Sequence, residues 1–146
     1  MEPLTLRPLG GADLPAAAEL LGFLNPSTPC GTLRERLATI LAEHPHYRLT
    51  GAFSGDRLVG LTGAWIATKV WCGKYLEVDN LVVHPDARSA KIGTRLIGDL
   101  EAAARAEGCE ILVLDSYTSN HPSHRLYHRL GFEIWGFHFV KPLNPT

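Results

Sequence analysis

The residues whose types and spacing could do chemistry crowd around one strand-to-helix junction. Residues 76–94 read LEVDNLVVHPDARSAKIGT. An apolar run ends in a short turn carrying Arg88, Ser89 and Lys91, and a helical pattern starts at Ile92, Gly93 and Thr94. The first turn of a helix has backbone N–H groups without intrahelical acceptors, and its dipole adds about half a positive charge there. Arg88, Lys91 and Arg95 bring formal charge to the same place, and Gly93 lets a ligand approach the backbone closely. A phosphate group fits this chemistry; the plainer alternative is a cationic helix entry with no ligand. Upstream, Glu77 and Asp79 stand two apart on the strand pattern, which points both to one face. They are either proton acceptors, charges that attract a cation, or a solvated strand face.

Downstream, Ser123 and Tyr127 are one helical turn apart and share a face. His121, His124 and His128 fall at i, i+3 and i+7, which can align three imidazoles along one helix face. They lack the H-E-x-x-H spacing of a zinc helix, so a surface or substrate-facing histidine row is preferred to a metal centre.

At the level of the whole chain, 146 residues make one ordinary domain, 1–146, and 45% hydrophobic with 20% charged residues is a globular composition. A net charge of −1 provides no basic field for nucleic acid. The start, Met1-Glu2-Pro3-Leu4, lacks a basic and apolar leader, and no apolar run nears the ~18 residues of a membrane helix. Cys30, Cys72 and Cys109 are odd in number and widely spaced, as expected of reduced thiols in a cytoplasmic protein.

The elements follow from period and punctuation. Leu4–Pro8 alternates like a strand; Leu14, Ala17, Ala18 and Leu21 mark a helix over Ala12–Phe23; Asn25–Gly31 is a loop of turn formers. Leu33, Leu37, Ile40 and Leu41 mark a second helix stopped before Pro45. Tyr47–Phe53 and Leu58–Thr68 read as a hairpin and Lys74–Val83 as the next strand. Ile92, Leu96, Leu100 and Ala103 predict a helix closed by Gly108, and Ile111–Leu114 is a strand covered on both faces. Pro122 opens a helix that Gly131 ends, and Phe132–Lys141 is expected to form a hairpin turning near Trp135-Gly136.

Arg88-Ser-Ala-Lys-Ile-Gly93 resembles the pyrophosphate-binding signature [R/Q]-x-x-G-x-[G/A] of the GCN5-related N-acetyltransferases. It matches at Arg88 and Gly93 and departs at Lys91, where glycine is usual; a residue with a Cβ disfavours positive φ, so a reshaped turn is expected. A second similar block is Asn120–Phe132, with Leu126-Tyr127 and Leu130-Gly131-Phe132. The resemblance implies an α/β (α+β) fold: a mixed, mostly antiparallel sheet of six to seven strands, splayed after the fourth and flanked by about four helices. It also implies acetyl-CoA as co-substrate, no metal, and an amine acceptor, with a homodimer left open and no nucleic-acid or membrane partner.

By the same resemblance, the backbone of Leu81, Val82 and Val83 lines the pantetheine arm and polarises the thioester carbonyl. Asn120 contacts that arm, Tyr127 protonates the departing thiolate, and Asn25–Gly31 covers the substrate. Asp79, or else Glu77, takes the amine proton; an ordinary carboxylate near pKa 4 is a weak base that partial burial would strengthen. No cysteine lies in a nucleophile motif, so the expected reaction is direct transfer to a primary amine, most simply of a small molecule, in a ternary complex. A fainter resemblance of the C-terminal part to aminoalkylphosphonate acetyltransferases offers Arg125, Arg129 or His138 to an anionic substrate group. The alternative is a non-catalytic acyl-CoA-binding or sensing module, which would keep the Arg88–Thr94 turn and need neither Tyr127 nor a base.

Overall fold

Alternation along the first half of the chain builds a sheet, and two helical stripes cover one of its faces. The computed structural model describes residues 2–144, the side chains of Ser89 and Ala90 excepted. The chain forms two units, 1–114 and 115–146. The first contains β1 (Leu4–Pro8), α1 (Leu14–Gly22), α2 (Cys30–Glu43), β2 (Tyr47–Ser54), β3 (Arg57–Lys69), β4 (Gly73–Val83), α3 (Ile92–Ala106) and β5 (Ile111–Leu114). The sheet runs β1-β2-β3-β4-β5 in chain order. Its first three pairings are antiparallel and β4–β5 is parallel, α3 supplying the crossover that a parallel pair requires.

The apolar stripes of α1 and α2 (Ala17, Ala18, Leu20, Leu21, Leu33, Leu37) pack with Tyr47, Leu49, Leu61 and Val82. Ile92 and Leu96 of α3 pack with Ala52 and Val59, joined by Leu81 and Val83. Neighbouring residues of β4 therefore serve opposite faces, as the period of two requires. Gly60 makes the seat of α3 possible: a Cβ there would meet Ile92 Cγ2 at 3.0 Å and the carbonyl oxygen of Val82 at 3.3 Å.

Two features set the far end of β4 apart. Its register on β3 slips at Asp79: Ala64 pairs with Val78 and Gly63 with Asn80, so Asp79 is the extra residue of a bulge. Its pairing with β5 runs only from Tyr75↔Ile111 to Val78↔Leu114, so Asp79–Val83 have no β5 partner.

The second unit contains α4 (His121–Arg129). Residues 132–142 carry no strand, so the sheet has five strands among the described residues, and the expected six to seven is corrected. Alternation in 132–141 supplies a strand-like side-chain pattern, but ladder bonds must come from a neighbour, and a lone hairpin is marginal in water.

Candidate active site

The junction after β4 is built by local capping. His84 closes the strand, its backbone N–H donating to the carbonyl of Val59 at 2.7 Å. Its Nδ1 accepts from the backbone N–H of Asp86 at 3.1 Å, starting the 3₁₀ turn Pro85–Ala90. Lys91 follows with φ 55° and ψ 30°, and α3 begins at the next residue. Lys91 is the sole non-glycine residue with positive φ among those described. The lysine itself adopts the left-handed conformation, at a backbone cost of roughly 1–2 kcal/mol.

Lys91 gives α3 no side-chain cap, and the first intrahelical bond at this end is donated by Arg95 N–H to the Lys91 carbonyl, 3.2 Å. The N–H groups of Ile92, Gly93 and Thr94 thus precede the hydrogen-bonded ladder, on a backbone anchored by Ile92, which is only 2% exposed. Arg88 and Lys91 are exposed. Arg95, expected to join them, instead donates through Nη1 to the carbonyl of Leu4 at 2.9 Å, tying α3 to β1. The side chain of Ser89 lies outside the described residues.

Leu81, Val82 and Val83 fill the core with their side chains while their backbone has no β5 partner. Glu77 is half-buried opposite Trp65, and Asp79 is exposed. Glu77 keeps its register position on β3, and Asp79 is the extra residue of the bulge.

The bulge also gathers residues that spacing did not suggest. The Nδ2 of Asn80 donates to Asp79 Oδ2 at 3.3 Å and to the phenol oxygen of Tyr47 at 3.2 Å. Tyr47 is 7% exposed, and burial pushes its phenol up to about 12, the nearby Asp79 charge adding to the rise and the Asn80 hydrogen bond opposing it. Its ring meets Trp65 edge-on at 4.6 Å, and its hydroxyl occupies the place a Cβ on Gly63 would take. Gly63, a glycine in mid-strand, was the signal available in the sequence.

In the second unit, Asn120 Oδ1 accepts from the backbone N–H of Ser123 at 3.4 Å and caps α4. Tyr127 is half-buried and lies edge-on to Phe132 at 5.9 Å. Burial raises its phenol above the ordinary value, opposed by a hydrogen bond with Ser123. Of the histidine row, His124 Nε2 donates to the Tyr117 carbonyl at 2.9 Å and His128 Nδ1 to that of Phe132 at 3.2 Å. His138 Nδ1 lies 3.3 Å from Asp115 Oδ2, and Arg125 and Arg129 are exposed on α4.

Residues 17–132 match the family model described as the acetyltransferase (GNAT) family. The chain belongs to that family. It is an acetyltransferase, and acetyl-CoA is its co-substrate. It is 33% identical over 110 residues to the aminoalkylphosphonate N-acetyltransferase of Salmonella typhimurium, covering 73% of this chain and 68% of that one. It is 32% identical over 138 residues to the glucosamine 6-phosphate N-acetyltransferase of Trypanosoma brucei brucei, covering 88% of each. Its fold matches the aminoglycoside N-acetyltransferase AAC(6')-Iy in complex with CoA, with a TM-score of 0.86 over 99% of this chain and 97% of that one, at 19% identity. The GNAT sheet here is mostly antiparallel with four helices among the described residues, and no described helix is long and apolar enough to cross a membrane.

The GNAT junction has the donors that a pyrophosphate needs: consecutive first-turn N–H groups, Gly93 at the second position of α3, and exposed cationic side chains beside them.

Proposed function

We propose that this protein transfers the acetyl group of acetyl-CoA directly to the primary amine of a small molecule within a ternary complex, residues 1–146 acting as one catalytic domain. The observation that carries the reading is the open start of α3, which follows, after the 3₁₀ turn Pro85–Ala90, a strand whose last five residues have no β5 partner.

Arg88, Ser89, Lys91 and the N–H groups of Ile92, Gly93 and Thr94 hold the pyrophosphate. The backbone of Leu81, Val82 and Val83 receives the pantetheine arm, and one of its amides polarises the thioester carbonyl as an oxyanion hole does. Asn120 adds a contact through Nδ2, since its Oδ1 caps α4. Asp79, with Glu77 as the second candidate, accepts the amine proton. The amine nitrogen attacks the carbonyl carbon, the C–S bond breaks, and Tyr127, kept neutral by its burial, gives its proton to the sulfur.

Two relatives are named for acceptors that combine an amine with a phosphorus oxyanion, an aminoalkylphosphonate and glucosamine 6-phosphate. That pairing supports an acceptor of the same kind, with Arg125, Arg129 or His138 as the oxyanion partner. The test is free-thiol release from acetyl-CoA with 2-aminoethylphosphonate, glucosamine 6-phosphate and an aminoglycoside, with products identified by mass spectrometry. Turnover of the first two above the third is expected; acetyl-CoA binding without turnover of any amine would overturn the reading in favour of a binding module.

A further inference from the structure

Tyr47 and Asn80 are 33 positions apart and meet at the β4 bulge. Each restraint on Tyr47 is separate. Trp65 holds the ring edge-on at 4.6 Å, the missing side chain of Gly63 makes room for the hydroxyl, and burial at 7% exposure keeps solvent away. The phenol oxygen is thus a fixed acceptor. Asn80 Nδ2 has two hydrogens, and the structure gives each a partner: the phenol oxygen at 3.2 Å and Asp79 Oδ2 at 3.3 Å.

Asp79 itself is exposed, and as the extra residue of the bulge it has no partner position on β3 to fix its backbone. It is also the first residue of β4 beyond the β5 pairing, which ends at Val78↔Leu114. An exposed carboxylate on a bulge samples several rotamers unless something holds it, and a proton acceptor must be within hydrogen-bond reach of the proton it takes.

We propose that Tyr47 and Asn80 are positioning residues for Asp79: the buried phenol fixes the Asn80 amide, and the amide holds the carboxylate at the edge of the unpaired stretch of β4. The inference rests on the reading of Asp79 as the proton acceptor. Neither residue touches the reacting atoms; both act through the carboxylate.

A double-mutant cycle tests this, read with whichever of the three amines turns over fastest. Tyr47→Phe keeps the ring and its packing on Trp65 while removing the acceptor oxygen. It should lower kcat roughly tenfold, a smaller loss than the 10²–10⁴ typical of deleting a general base outright, with acetyl-CoA affinity and the melting temperature close to those of the parent. Asn80→Ala should reproduce the kcat loss and serves if the phenylalanine variant folds poorly. In an Asp79→Asn background the Tyr47→Phe change should have no further effect on kcat. If it still lowers kcat tenfold there, the pair acts through packing alone and the positioning role is overturned while Asp79 keeps its own. If Asp79→Asn turns over like the parent, the base assignment fails, and the positioning role fails with it.

Discussion

The starts of α3 and α4 are both helix N-termini, and family resemblance assigns both to the cofactor, yet they are finished in opposite ways. At α4 the side chain of Asn120 caps Ser123 N–H, and Pro122 in the first turn has no N–H to offer. At α3 the capping position holds Lys91, left-handed and without a side-chain cap, so its first-turn donors are left without a partner from the cap. A helix start satisfied by its own side chain is a structural joint; one left unsatisfied beside cationic residues is an anion site. On the proposed reading, the pyrophosphate is held at the start of α3 and Tyr127 of α4 supplies the proton.

Four changes press on that contrast. Tyr127→Phe, on α4, should lower kcat by roughly 10²–10⁴-fold, the range of general acid catalysis, with acetyl-CoA affinity nearly unchanged by calorimetry. Because burial raises the phenol above its ordinary value near 10, the acid form persists through neutral pH. In the parent, kcat should accordingly show no loss from this group until the pH passes about 10. A parent-like kcat in the phenylalanine variant, with chemistry shown to be rate-limiting, would remove Tyr127 as the acid.

Gly93→Val, at the start of α3, should do the reverse. Losing one or two charge-assisted hydrogen bonds costs about 1.5–3 kcal/mol each, so acetyl-CoA should bind at least about tenfold more weakly. Equal affinity in titration would put the pyrophosphate elsewhere.

Asn120→Ala should cost about 1 kcal/mol of stability, as loss of an N-cap does, measured by denaturant unfolding. Its effect on acetyl-CoA affinity should be smaller than that of Gly93→Val; a larger one would erase the distinction between the two helix starts.

Lys91→Gly separates strain from charge. Relief of the left-handed lysine should raise stability by up to about 1 kcal/mol. Loss of an exposed cation should weaken acetyl-CoA binding at low salt by up to about 1 kcal/mol, about fivefold. Tighter binding in the glycine variant would mean that Lys91 obstructs the phosphates.

The chain's own residues were enough to mark the junction of β4 and α3, the four helices and the strands up to Ile111–Leu114, because caps, turn formers and periods of 2 and 3.6 act over a few residues. They also marked Arg88, Gly93 and Tyr127 as positions to carry over, since short motifs keep their spacing. The fate of Phe132–Lys141 was not legible in this way: its alternation is a local property, and strand pairing is not. Nor was the environment of Asp79. A bulge is a mismatch between two strands, visible only when Gly63 and Ala64 are set against Asn80 and Val78. The bond between Tyr47 and Asn80 likewise joins residues that only the stacking of β2, β3 and β4 brings together, across a gap left by a glycine on the strand between them. Spacing along the chain could name the carboxylates; what holds one of them in place was decided by residues across the sheet, through register and close packing that no linear pattern encodes.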